Sequence, residues 1–222
     1  MIYLYALSDS LTKAPTAPGL DGAPLRVVTT ERLAAVVSDW HPVPLAADER
    51  ALWAHERVVE ELMLRQPVLP MRFGSILHDD AAARSLLVAR QEELMIALRR
   101  VTGAVELGVR VAWQAEETTS DKASPPGPGP GAAYLKARSR AYRRARALAE
   151  QLDGSLVELS RTRVHRLPSS PNAPLSAAYL VDEDHVDTFR ARIATLGRDI
   201  VDADIVCTGP WPPYSFTGGQ AS

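Results

Sequence analysis

Five histidines, one cysteine and 27 Asp and Glu residues are the side chains of this 222-residue chain best suited to bind metal or move protons. Their spacing excludes most of that chemistry. The stretch HERVVEEL opens with His55-Glu56. A zinc-hydrolase helix needs a second histidine four residues on, so that both rings share one face, and position 59 is valine. His55 instead lies on the apolar side of a predicted helix over residues 48–65, with Leu52, Val59, Leu62 and Met63, and reads as a partly buried, hydrogen-bonded histidine. LPMRFGS, residues 69–75, has the outline of a strand entering a glycine turn. A phosphate loop needs several glycines and a lysine, and this stretch has one Gly and no Lys. Arg72 beside Phe73 therefore reads as an ion-pair or cation–π residue. Cys207, the lone cysteine, excludes an internal disulfide and an all-cysteine metal site. With no nucleophile elbow, triad spacing or carboxylate pair in apolar surroundings, the expectation is a protein with no catalytic, cofactor or metal site, and not an enzyme.

Two other stretches carry recognition chemistry. Residues 134–152 form a predicted helix with Lys136, Arg138, Arg140, Arg143, Arg144 and Arg146. Its apolar stripe is Leu135, Tyr142, Ala145, Leu148, Ala149 and Leu152, and most of the cations fall opposite it, as on an ordinary solvated face. Arg138 and Arg146 flank the stripe and can reach a partner surface or an acidic group of the other domain. The second stretch is TGPWPPYSF, residues 208–216. Pro210, Pro212 and Pro213 predict an extended polyproline II path, with Trp211 and Tyr214 pointing the same way. The expectation is a clasp that docks Trp211 and Tyr214 near LPMRFG and the 48–65 helix and ties two domains together. An exposed arm for a partner and an SH3-type PxxP ligand are the alternatives; no Lys or Arg follows Arg198 to support the latter.

The elements that must position these residues are read from periodicity. Net charge is −2, with no pull toward nucleic acid or an anionic membrane, and no stretch approaches the length of a membrane-spanning helix. Strands are predicted over residues 2–7, 25–29, 33–38 and 68–73, and a long helix over 79–100. Val105, Leu107, Val109, Val111 and Trp113 alternate with polar or small residues as in a half-buried strand. PPGPGPG, residues 125–131, lets neither helix nor sheet through. After it come the 134–152 helix ended by Gly154, strands over 156–167 and 177–181, a helix through Val186, Phe189, Ile193 and Leu196, and a strand over 201–207. The order β-α-β-β-α-β predicts a ferredoxin-like antiparallel sheet with both helices on one face. The fold class is therefore α+β in two domains. They are an α+β domain over 1–103 and a ferredoxin-like domain over 104–207 with an insertion at 115–131. A tail over 208–222 docks back on the first domain. Because ferredoxin-like sheets can bind RNA, a nucleic-acid module using the basic helix is the alternative function. The central strands offer only Trp113 and Tyr179 for stacking, without the required motif.

Four stretches coincide with one family: YLYAL (3–7), HERVVEEL with VLPMRFGSI (55–62 and 68–76), AYLKARSRAY (133–142) and TGPWPPYSF. Together they resemble the GvpF/GvpL family of gas vesicle proteins. The resemblance implies a non-enzymatic accessory or minor structural protein of gas vesicle assembly. Its implied partners are the very hydrophobic shell protein GvpA and other accessory proteins, with no nucleic acid and no lipid membrane. It places the protein at the gas vesicle in the cytoplasm. Arg72, Phe73, Arg138, Arg146, Trp211, Tyr214 and Phe216 are the candidate partner-binding or interdomain residues.

Overall fold

The computed structural model describes residues 1–9, 13–41, 45, 47–113, 130–166, 170, 173–200 and 203–218. The expected 115–131 insertion lies outside these except for its last two residues. The fold mixes helix and sheet, and the chain divides into two compact units. One comprises residues 1–106 with 211–222, the other 107–210.

The first unit is built round one strand. β1 (Ile2–Ser8) is buried at every residue. It pairs antiparallel with β3 (Ala34–Asp39), which pairs with β2 (Leu25–Thr29); its other edge is shared by β4 (Leu69–Pro70) and β5 (Ile76–Leu77). The predicted strand over 68–73 is thus cut short. Met71 N–H still bonds the Tyr5 carbonyl (2.8 Å), and Leu4 N–H bonds Ser75 O (2.9 Å). Between those bonds Arg72, Phe73 and Gly74 leave the sheet in a turn closed by Ser75 N–H to Arg72 O (3.1 Å). Gly74 sits at φ 89°, a conformation that side-chain-bearing residues avoid, and so lets the chain return.

α1 (Glu49–Met63) starts where the Asp48 carboxylate accepts from Ala51 N–H (2.8 Å). It buries His55, Val58, Val59 and Leu62 against Tyr3, Tyr5 and Val36. The helix predicted over 79–100 is two helices, α2 (Asp80–Ala89) and α3 (Gln91–Val101). They separate at Arg90, whose φ −115°, ψ 20° ends the first; the guanidinium then pairs with Glu93 in the first turn of the second.

In the second unit the sheet order is β7-β8-β6-β9, with β6 (Ala104–Trp113) and β8 (Leu175–Asp182) central. β7 (Thr162–Arg166) and β8 pair antiparallel, as their short connection requires. Leu107, Val109 and Val111 of β6 and Leu175, Ala177, Tyr179 and Val181 of β8 alternate into a single core. Ala145, Leu148, Ala149, Leu152 and Leu156 of α4 (Pro130–Leu156) and Phe189, Ile193 and Leu196 of α5 (Val186–Asp199) enter that same core. α4 begins inside PPGPGPG, because proline is favourable in a helix's first turn, and it runs through Gly154 instead of stopping there. Strand 156–167 shortens accordingly to β7. Leu135 and Tyr142 of the predicted stripe are exposed; packing begins at Ala145. β9 (Ala203–Trp211) extends four residues beyond the predicted strand and absorbs Gly209-Pro210. Among the described residues no helix is long and apolar enough to cross a membrane.

Candidate interaction site

His55 is the centre of the first unit. It is 3% exposed. The Met71 carbonyl, 3.0 Å from Nε2, can only accept, so Nε2 carries the proton and Nδ1 accepts from the Tyr3 hydroxyl at 2.9 Å. The Tyr3 oxygen in turn accepts from Gly74 N–H (3.0 Å), which fixes the returning arm of the 72–74 turn. Tyr5 stacks on the imidazole at 5.6 Å, and Phe73 meets it edge-on at 5.9 Å. Burial holds the ring neutral and pulls its pKa down to about 4, against a smaller opposing effect of the Met71 carbonyl. Burial likewise raises the Tyr3 and Tyr5 hydroxyls above their ordinary range. The Tyr5 hydroxyl bonds Ser38 Oγ (3.0 Å) and accepts from Leu20 N–H (2.8 Å). Three of the motifs singled out in the sequence are therefore parts of one hydrogen-bonded knot. Both ring nitrogens of His55 are engaged in it.

The closing segment builds on the knot. It is not polyproline II: β9 runs to Trp211, and Tyr214–Phe216 form a 3₁₀ turn. The Tyr214 hydroxyl donates to Glu56 Oε2 (2.7 Å), and its ring lies 6.5 Å from His55. Ser215 donates through both N–H and Oγ to Glu106 (2.7 and 2.8 Å). Phe216 is buried. Burial raises the Glu56 carboxyl, partly offset by the Tyr214 hydrogen bond; the Tyr214 hydroxyl is raised by burial and then by the charge of Glu56.

Trp211 lies beside Phe73 and α1 but is not buried there. It stays 39% exposed and forms one side of an apolar groove of about 800 Å³. Phe73 and Tyr214 line it too, with Leu52 and Trp53 of α1, which are 44% and 56% exposed. Its polar lining is Glu49, Glu56, Glu106 and the neutral His55, with one cation, Arg72. Four of the candidate residues, Arg72, Phe73, Trp211 and Tyr214, thus meet at one site. Phe216 is buried and does not line the groove. Arg138 and Arg146 lie on α4 in the other unit, exposed, with Arg146 paired to Glu150 at 3.1 Å. Leu52, expected on the buried side of its helix, is exposed beside Trp53. The signal was available: a tryptophan one position off the apolar stripe of an otherwise charged helix face. The nucleic-acid alternative loses its stacking surface, since Tyr179 is fully buried and the Arg144 guanidinium lies over the Trp113 ring at 5.5 Å.

Comparison with known proteins bears on what such a groove serves. Residues 1–218 match the family model described as gas vesicle synthesis protein GvpL/GvpF. The chain belongs to the GvpL/GvpF family. It is 30% identical to gas vesicle protein F of Streptomyces sp. (strain CB03234), covering 96% of this chain and 98% of the relative. It is 32% identical to gas vesicle protein L of the same strain, over 91% and 86%. The crystal structure of GvpF from Anabaena sp. PCC7120 superposes with a TM-score of 0.80 at 18% identity, covering 99% of both chains, so the fold is shared. The F-named and L-named relatives match almost equally.

Proposed function

We propose that this GvpL/GvpF-family protein is a non-enzymatic accessory or minor structural component of gas vesicles in the cytoplasm. In this reading it binds the hydrophobic shell protein GvpA and assists its assembly, alongside other accessory proteins. The observation that carries this is the groove. Trp53, Leu52 and Trp211 are large apolar side chains left in water, and they line one groove with Phe73 and Tyr214. Contiguous exposed apolar surface of this kind marks a protein interaction site. A shell subunit that polymerises at a gas interface presents apolar surface before assembly, and an apolar groove can mask it. The β7-β8-β6-β9 order, with α4 and α5 entering one core, supports reading the second unit as a ferredoxin-like domain. On that reading residues 1–103 form the first domain and 104–207 the second, and the tail from 208 closes on the first.

The test is capture of GvpA by the full chain and by Trp53→Ala and Trp211→Ala. Capture by the parent and its loss in both variants, with unchanged melting temperatures, supports the reading. Equal capture by all three moves the shell-binding surface elsewhere.

A further inference from the structure

The N-terminal part of α4 is a second unassigned surface. Residues 130–149 contain six Lys or Arg and no Asp or Glu. Tyr134, Arg138 and Tyr142 are spaced i, i+4, i+8, with Leu135 beside them, so they continue the helix line that further on buries Ala145, Ala149 and Leu152. Yet all four are exposed. Arg138 makes no hydrogen bond or ion pair among the described residues. An apolar stripe with a cation at its centre is thus built into the helix but left open where the core stops.

Its complement is on the same molecule. The groove offers exposed aromatic walls, with Glu49 and Glu56 along α1 and Glu106 nearby, against the single cation Arg72. We propose that the groove of one copy receives the Tyr134–Tyr142 face of α4 from a second copy, with Tyr134, Leu135 and Tyr142 against Trp53 and Trp211 and Arg138 directed to Glu49 and Glu56. Helix-in-groove docking uses anchors one and two turns apart on one face, as Leu135, Arg138 and Tyr142 are at i, i+3 and i+7. The opposite charges fix which face enters and in which direction, and discourage the α4–α4 pairing that would bring six cations against six. The contact is heterologous: each copy presents one groove and one helix, so copies add head to tail into a ring or an open chain. This groove is the one proposed above to hold GvpA, so the two would compete for it; self-association is measured without shell protein, and capture of GvpA is measured separately.

Sedimentation velocity of the full chain over a range of concentrations tests it. The parent is expected to associate with rising concentration, and less so in high salt. Arg138→Glu and Glu49→Lys are both at exposed positions, and each is expected to weaken self-association about tenfold. An equimolar mixture of the two restores association, because the unaltered helix of one meets the unaltered groove of the other. Leu135→Ser provides an uncharged check should either reversal disturb folding, and is expected to weaken association as well. A parent that stays monomeric throughout, folded variants that associate like the parent, or a mixture no stronger than its components would each overturn the proposal.

Discussion

The two units bury cores of different kinds. In the second, β6 and β8 alternate aliphatic residues with polar ones, and α4 and α5 close over them with more aliphatics. Its one fully buried tyrosine, Tyr179, donates a long hydrogen bond of 3.3 Å to Asp153, which also serves Arg163 and His165. In the first, the centre is polar and aromatic: Tyr3, Tyr5, His55 and Ser38 bond one another and the turns around them. An aliphatic core tolerates small changes of shape, whereas a buried polar knot charges the full desolvation cost for each partner removed. The first unit should therefore be brittle where the second yields.

The largest effect should come from His55→Ala. It creates a cavity and strands the Tyr3 hydroxyl and the Met71 carbonyl, and is expected to cost about 4–5 kcal/mol in urea unfolding. Leu152→Ala in the second unit leaves only a cavity, and about 3 kcal/mol is expected. A smaller loss for His55→Ala than for Leu152→Ala would reverse the contrast.

Acid should single out the first unit next. His55 is held neutral in the folded state, with its pKa down at about 4, while the unfolded ring titrates near 6.5. Between those values the unfolded chain binds the extra proton, so stability is full above pH 6.5 and falls as pH drops toward 4, by about 3 kcal/mol in total. Amide exchange followed from pH 7 to 4 should show β1 and α1 losing protection before β6 and β8. Uniform loss across both sheets would argue against His55 as the trigger.

A tighter probe is Gly19→Ala. A Cβ there would stand 2.4 Å from the Tyr5 hydroxyl oxygen and 2.9 Å from Leu25 Cδ2. That hydroxyl is held by Leu20 and Ser38 and cannot swing aside, so about 1–3 kcal/mol should be lost, visible as a lower melting temperature. The smallest pair sharpens the comparison furthest. Tyr3→Phe leaves His55 Nδ1 and Gly74 N–H unpaired and should cost about 2 kcal/mol, whereas Tyr179→Phe releases a carboxylate that keeps Arg163 at Oδ2 and His165 at Oδ1 and should cost about 0.5 kcal/mol. Equal losses in thermal melts would dissolve the distinction.

The same difference explains what could be read from the sequence. Periodicity is a local signal, so the second unit's element order and its alternating strand at 105–113 were legible, as was the place of His55 on the apolar side of its helix. The turn at Arg72–Gly74 was not: it is set by bonds to Tyr3, Tyr5 and Leu4, about 70 residues away along the chain, and MRFG alone reads as strand. The break at Arg90 interrupts a helical pattern that continues on both sides. Leu135 and Tyr142 obey the stripe and are nonetheless exposed, because α4 enters the core only from Ala145 onward, which no helix-local pattern records. The groove was legible only in part. Phe73, Arg72, Trp211 and Tyr214 stood out as motif residues; Trp53, Glu49 and Glu106 join them through tertiary contact alone.

Residues 211–218 belong to the same unit as residues 1–106, although the whole of 107–210 is made between them. This sets a schedule during synthesis. A ribosome releases the chain from its N-terminus at about 5–20 residues per second. Glu56 and Glu106 therefore wait for the hydroxyls of Tyr214 and Ser215 while about a hundred residues are translated. For those seconds the nascent first unit holds His55 and Phe73 without the lid of Tyr214. The later unit has no such wait, since its strands and helices emerge in one uninterrupted run. The first half of the chain to be born is thus the last to be finished.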